Sequence, residues 1–354
     1  MLRRSMPSSS GVMSRPTQTQ LRLVGDVGGT NVRFAVADFS GLAPQLHACE
    51  SFPCAAFAFF EDALEHYLSQ AELRPGSAVI AVAGPIENGE ARLTNGSWTI
   101  AETALMQRGF ASVTLINDYV ALALSMEHLT EHDVGMIGLA KAVDHGITVG
   151  IVGAGTGLGV AAVVRQGGDA VVAATEGGHM AFAPADETEI EILKLLTQRF
   201  GRVSLERLLS GPGLSNLRWA LGQMNDVDVD PLPPNEIVRR ALTRSDALCV
   251  DTLNRFCGIY GHVAGDVALT FGARGGMFLG GGIAPRLFEW LSASDFRRRF
   301  EAKGRLSGYV ADIPTQVILH PYAALLGAAG VCIDEHRHVA APPMGLLASG
   351  LCRR

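Results

Sequence analysis

VGDVGGTNVRFAVA (residues 24–37) and VGIVGAGTGLGVAAV (residues 149–163) follow one plan. In each, an apolar strand enters a glycine-rich turn that contains Gly-Thr, and a second strand leaves it. Glycine lets the backbone turn sharply or come close to itself or to a ligand. Two copies of this unit predict a molecule built from two related β-turn-β halves.

The surrounding sequence extends that reading. In the first half, LRLVGDV (21–27), NVRFAVADF (31–39), HACESF (47–52), SAVIAVAG (77–84) and SVTLIND (112–118) read as strands bounded by Gly or Pro breaks. FAFFEDALEHYLSQAE (57–72), TIAETALMQRG (99–109) and YVALALSMEHL (119–129) read as helices. In the second half, ITVGIVG (147–153), GVAAVVR (159–165), AVVAATE (170–176), GMFLGGG (276–282) and TQVILH (315–320) read as strands. Helices are predicted near 187–200, 204–220, 234–244, 246–271, 285–291 and 322–336. Alternating strands and helices place the chain in the α/β class.

Composition narrows the function. The chain has 354 residues, is 48% apolar and carries a formal charge of −6. That apolar fraction excludes a disordered chain, and the acidic balance argues against a nucleic-acid partner. Lys141, Lys194 and Lys303 are the only lysines, and no Gly-Lys dipeptide exists, so a P-loop is absent. The six cysteines form no C-x-x-C pair and have no zinc spacing, which fits free thiols in a reducing cytoplasm. Residues 146–164 are uncharged over the length of a membrane helix, but six glycines suit two strands around a turn instead, so no membrane span is expected. Residues 1–20 are expected to be a disordered tail or an early start, not a transit peptide, and 337–354 a loose tail.

Polar groups gather at the predicted strand ends. In the first turn, Gly28 and Gly29 can aim backbone N–H groups at an anion, and Thr30 adds a hydroxyl beside Asn31. Asp26, at the strand end, can hold Mg²⁺ through water. The second turn, with Gly155 and Thr156, also suits phosphate oxygens. Gly157 to Ala162 fits a dinucleotide fingerprint as well, but that needs a helix where Val160 to Val164 predict a strand. Gly280, Gly281 and Gly282 lie between a strand and a helix, where a ring or phosphate can approach. Asn117 and Asp118 end a strand. Asp118 can accept a proton from a hydroxyl, or it can simply cap the following helix. Glu176 and His179 lie at another strand end, and Glu206 is either a ligand or a solvated helix residue.

Taken in order, Asp-x-Gly-Gly-Thr-Asn-x-Arg, Ile-Asn-Asp, Gly-Ala-Gly-Thr-Gly-Leu-Gly, Glu-Gly-Gly-His, Leu-Ser-Gly-Pro-Gly and Gly-Gly-Gly-Ile resemble the bacterial ATP-dependent glucokinase family. That family belongs to the hexokinase/actin/heat-shock-protein ATPase superfamily. The likeness runs over about residues 21–330, with Leu93 to Trp98 and Phe182 to Pro184 as supporting matches and no matching motif between about 290 and 314. It implies a two-lobed, ribonuclease-H-like (actin-like ATPase) fold with a central cleft. The small lobe would take residues 21–128 and the returning helix 321–336, and the large lobe residues 129–320. It implies transfer of the γ-phosphoryl group of MgATP to the 6-hydroxyl of glucose, with ATP and Mg²⁺ as cofactors, a homodimeric state and a cytoplasmic location. By the same resemblance Asp118 is the general base, and Asn117, Asp118, Glu176, His179 and Glu206 hold the sugar. Asp26, Gly28, Gly29, Thr30 and Asn31 form one phosphate loop, Gly155 and Thr156 the other, and Gly280 to Gly282 the adenosine-side turn. The related repressor/kinase (ROK) family carries a zinc-binding Cys cluster after its Glu-x-Gly-His motif. Here no Cys lies between His179 and Cys249, so the chain is similar to the zinc-free branch. A DNA-binding regulator on the same fold would need a helix-turn-helix that residues 1–20 cannot supply. A sugar-independent hydrolase would leave Glu176, His179 and Glu206 without a polyol to bind.

Overall fold

The computed structural model describes residues 21–331 apart from 42, 95, 139–142, 145 and 167–168. The expected tails at 1–20 and 337–354, the end of the last helix at 332–336, Asn95 and the Gly167-Gly168 turn lie outside the described residues. The strands are β1 (Leu21–Val27), β2 (Asn31–Asp38), β3 (Gln45–Pro53), β4 (Ser77–Val82), β5 (Ile86–Glu87), β6 (Glu90–Arg92), β7 (Thr99–Ala101), β8 (Ser112–Asn117), β9 (Val134–Ile137), β10 (Val149–Ala154), β11 (Leu158–Gln166), β12 (Asp169–Thr175), β13 (Gly276–Gly280) and β14 (Thr315–Ile318).

The sequence echo becomes a repeated topology. The first large sheet has the order β3-β2-β1-β4-β8, and the second β12-β11-β10-β13-β14-β9. In each, the central strand (β1 or β10) pairs antiparallel with the strand after the turn and parallel with the strand on its other side. β9 extends the second sheet by pairing antiparallel with β14. The central parallel strands are apolar almost throughout because both of their faces are covered. SAVIAV of β4 is buried from Ala78 to Val82, and VGIVGA of β10 along its whole length.

Helices cover the outer faces. Phe60, Leu64 and Tyr67, from the helix Phe60–Gln70, pack on Leu23, Phe34 and Ile80 of the first sheet. The long helix Ala247–Phe271 covers the second sheet, and the Tyr260 hydroxyl donates to the Val152 carbonyl at 3.0 Å. Two short helices, Asp118–Leu124 and Ala323–Ala329, lie between the sheets. Ala121, Leu325, Ala328 and Ala329 pack on Val24, Ala35, Val79 and Ala81 of the first sheet. Ala123, Met126 and Ala323 pack on Val149, Ile151, Phe278 and Ile318 of the second. The two helices touch through Gly327, where any Cβ would overlap the Ala121 carbonyl.

The uncharged stretch 146–164 forms β10, its turn and most of β11, and no helix of the described residues is long and apolar enough to cross a membrane. Other segments differ from the sequence reading. Residues 99–109 are not one helix: Thr99–Ala101 pairs with Glu90–Arg92 in a small third sheet, and the helix runs only from Glu102 to Met106. Pairing with β6 overrides helical spacing there, and Ile100 is buried by it. Residues 204–220 divide into a 3₁₀ turn (Leu205–Arg207) and the helix Gly211–Met224, which starts where the Ser210 Oγ accepts from the Gly213 N–H at 3.0 Å. β5, β6 and β9, and the helices Phe296–Glu301 and Ser307–Ala311, are too short to leave a periodic signal.

The helix contact at Gly327 makes a direct prediction. Gly327→Ala puts a methyl group onto a backbone oxygen, so the two helices must separate, at a cost of about 1–3 kcal/mol or more. Gly308→Ala, at an exposed helix position with open space around the new Cβ, should be neutral or stabilising by up to about 1 kcal/mol. Urea denaturation of both variants checks the contrast.

Candidate active site

The carboxyl ends of β1, β4 and β8 in the first sheet, and of β10, β13 and β14 in the second, open on one pocket of about 530 Å³. Ligands of α/β sheets bind at such strand ends. Asp26, Gly28, Gly29, Asn117, Asp118, Gly155, Thr156, Glu176, His179, Glu206 and Gly280 to Gly282 all line it. Of the residues singled out in the sequence, Thr30 and Asn31 stand outside the lining.

Each glycine turn is tied down. In the first, the Gly28 N–H donates to the Asn31 carbonyl at 3.0 Å, and the Cys54 N–H donates to the Thr30 carbonyl at 2.9 Å. Asp26 accepts from Arg33 Nη1 through Oδ2 at 2.8 Å. In the second, the Gly155 N–H donates to the Gly157 carbonyl and the Gly211 N–H to the Gly155 carbonyl, both at 2.8 Å. The Leu158 N–H donates to Glu206 Oε2 at 2.9 Å. The two turns face each other, with the Thr30 and Thr156 hydroxyls 3.1 Å apart. So Thr30 contributes at the seam between turns, and Asn31 through its backbone.

The helix-cap role falls to Asn117, not Asp118. Asn117 Oδ1 accepts from the Tyr119 N–H at 2.9 Å and the Val120 N–H at 3.4 Å. Its NH₂ group is what remains to offer a ligand. Asp118 is the first residue of the helix, partly buried, with a carboxyl pKa pushed up to about 7. Burial is the main cause, and the negative charges of Asp26 and Glu176 add to it, while the N–H groups of Tyr119 and Asp118 act the other way. A carboxyl that exchanges its proton near neutral pH is suited to general-base work.

Glu176 and His179 form the solvent side, with side chains 80% and 50% exposed and Oε2 3.9 Å from Nε2. Glu206 sits on the Leu205–Arg207 turn, one carboxylate oxygen spent on Leu158. The three glycines after β13 divide their roles. Gly280 makes room for Leu122, whose Cδ2 lies 2.5 Å from where a Cβ would sit. Gly281 has φ +76° and lies against the Ala154 carbonyl. Gly282 faces open space. The helix expected directly after them begins only at Phe288, behind a 3₁₀ turn over Pro285–Leu287.

Arg33, Tyr119, Arg286, His320 and Tyr322 also line the pocket. The sequence reading passed over them, although Arg33 closes the first motif and Tyr119 follows Asp118. His320 and Tyr322 follow the last parallel strand, so the strand-end rule could have found them. Two anion-suited turns from matching sheets, meeting beside a carboxyl of raised pKa, can position a phosphorylated donor against a hydroxyl acceptor. That is the working geometry of a phosphotransferase.

The chain belongs to the glucokinase family, whose sequence model matches residues 23–335. A glucokinase of Caulobacter sp. (strain K31) is 49% identical over 327 residues, spanning 92% of this chain and 99% of the relative. The crystal structure of a glucokinase from an Antarctic psychrotroph is 35% identical with a TM-score of 0.77, covering 88% of this chain and 98% of that one. A ROK-family glucokinase from Streptomyces griseus, solved with glucose and AMPPNP, shares the fold at 22% identity with a TM-score of 0.59, covering 87% and 98%.

Asp118 has a consequence for stability. A carboxyl whose pKa is higher in the folded than in the unfolded chain loses stability as pH rises from about 4 to about 7. Asp118→Asn removes that loss. The unfolding-midpoint difference between variant and parent should therefore grow in favour of the variant from pH 5 to pH 8. An unchanged difference would show that Asp118 titrates normally.

Proposed function

We propose that the chain performs the reaction of its family, moving the γ-phosphoryl group of ATP to the 6-hydroxyl of D-glucose to give glucose 6-phosphate and ADP. The observation that carries this reading is the pocket itself, which takes its walls from both Gly-Thr turns and from Asp118, Glu176, His179 and Glu206. The solved Streptomyces griseus relative with glucose and AMPPNP supports the same pair of substrates.

In this mechanism Asp118 accepts the proton of the 6-hydroxyl as oxygen attacks the γ-phosphorus. The Asn117 NH₂, Glu176, His179 and Glu206 hold other sugar hydroxyls and fix which oxygen attacks. The Thr156 hydroxyl and the turn N–H groups other than those of Gly28 and Gly155, which are spent on carbonyls within the turns, hold the phosphates, with Thr30 at the seam between the turns and Gly280 to Gly282 beside the nucleoside. Such catalysis rests on positioning and on stabilising charge. Among the described residues no group of three His, Cys, Asp or Glu could hold a metal ion. Mg²⁺ needs none, because it keeps most of its water and takes one or two carboxylates plus substrate phosphates. Asp26 meets that demand, at the end of β1 in the pocket wall with one oxygen on Arg33. Bound there, Mg²⁺ would offset phosphate charge.

The fold reading completes the proposal. The unit of residues 21–128 with the returning helix forms the small lobe and residues 129–320 the large one, in the actin-like arrangement with the pocket as its cleft. The separate sheets, with Ala323–Ala329 back on the first, support this division. Closure of the lobes would exclude water as a competing acceptor. The resemblance carries with it a cytoplasmic homodimer, which sedimentation would check.

ADP release from MgATP, measured with glucose, mannose, fructose, N-acetylglucosamine or no sugar, tests the reading. Turnover should depend on glucose. Sugar-independent turnover would favour a hydrolase, and turnover on another sugar alone would change the substrate. Asp118→Asn should retain the fold and lose at least about 10²-fold in kcat. Near-full activity in that variant would remove Asp118 from the mechanism.

A further inference from the structure

Tyr119 belongs by chain order to the first sheet, because it follows β8 directly. Its ring lies against the second. A Cβ on Gly159 would overlap the Cε2 and Cζ atoms of the ring, and a Cβ on Gly153 would lie 2.5 Å from its hydroxyl oxygen. That hydroxyl donates to the Gly153 carbonyl at 2.6 Å. Gly153 and Gly159 are cross-strand partners at the stem of the second turn, and Gly153 is also paired with Gly280 on β13. Leu122, one helical turn after Tyr119, fills the space over Gly280. The helix that begins with Asp118 is thus keyed into glycines on β11, β10 and β13.

The two halves of this contact do different work. The ring and Leu122 seat the helix, and with it Asp118. The hydroxyl grips the strand that runs directly into Gly155 and Thr156. Burial, and next the charge of Asp118, raise the phenol pKa, so the group stays a neutral donor. A buried hydroxyl or carbonyl left without a partner is costly, which keeps this bond made.

We propose that Tyr119 is a positioning residue, whose hydroxyl holds the second phosphate turn in register with the general base through the Gly153 carbonyl. This rests on the functional reading above, since it assigns that turn to the ATP phosphates.

Tyr119→Phe keeps the ring in its glycine seat and deletes only the hydroxyl. Binding of AMPPNP with Mg²⁺ should weaken about tenfold, as for loss of one buried hydrogen bond. Glucose binding should stay within about twofold of the parent. Calorimetry reads both affinities without turnover. In kinetics the same split should appear as a raised KM for ATP, a lowered kcat and a steady KM for glucose. A general loss of structure would instead lower the active fraction and leave both affinities unchanged. Unchanged AMPPNP binding, or equal weakening of both ligands, would overturn the proposal. A parent protein that binds neither ligand would overturn the functional reading and this inference with it.

A double-mutant cycle gives a second check. Gly159→Ala should also weaken AMPPNP binding, because its methyl group displaces the ring. Once Tyr119→Leu has removed the ring, adding Gly159→Ala should cost little more. Losses that simply add would show that the two sites act independently.

Discussion

The placement of Asp118 depends on a helix seated on bare backbone. The Asp118–Leu124 helix meets Gly153, Gly159 and Gly280 on one side and Gly327 on the other. At each of these a methyl group would strike a ring, a side chain or a carbonyl. No larger residue could occupy the four positions without displacing the Tyr119 or Leu122 side chain or, at Gly327, the helix backbone, and Asp118 is the first residue of that helix. Asp118, the general base on the proposed reading, is therefore placed by packing between the sheets. Protein interiors transmit such displacements because they are close-packed.

Charge is the second constraint. Asp26, Asp118, Glu176 and Glu206 share one pocket, and a donor nucleotide would add more negative charge. Arg33 answers Asp26 directly, and Arg286 is a further cation in the lining. The balance remains acidic around Asp118, and this adds to burial, the larger cause, in raising its proton affinity. The same crowding gives a divalent cation an electrostatic reason to enter with the phosphates. A site that binds an anion while retaining its own carboxylates needs backbone donors, and the proposed reading draws them from the turn N–H groups beyond those of Gly28 and Gly155, which bond carbonyls within the turns.

Much of this was legible in the sequence, and the parts that were not share a cause. The repeat of VGDVGGTNVRFAVA in VGIVGAGTGLGVAAV foretold the matching strand orders, because a strand-turn-strand unit is local and its apolar pattern is strong. The strand after Gly159 was likewise enough to set aside a dinucleotide fold. β9, β5 and β6 were missed because a few residues pair with distant strands and carry no period of their own. The glycines were the subtler case. Gly153, Gly159 and Gly280 read as ligand-loop residues, yet their absent side chains accommodate Tyr119 and Leu122. A glycine spaced for a phosphate and a glycine spaced for a tyrosine look alike until the long-range partner is known. Asn117 and Asp118 show the same limit at one residue's distance: the cap was foreseen, and the neighbouring side chain supplies it.

The duplicated topology conceals an asymmetry in how its two turns are supported. The first is fastened within its own sheet: Asp26 to Arg33 across β1 and β2, and Thr30 to the Cys54 backbone beyond β3. The second is fastened from outside, by Glu206 and Gly211 on the far segment and by Tyr119 from the opposite half. Equal folds thus hold unequal turns. Apart from the Thr30–Thr156 contact, the first turn is held by its own half, whereas the strand entering the second also takes a bond from the helix bearing Asp118. On the proposed reading, a phosphate turn built in this way has its position tied to that of the base through Tyr119.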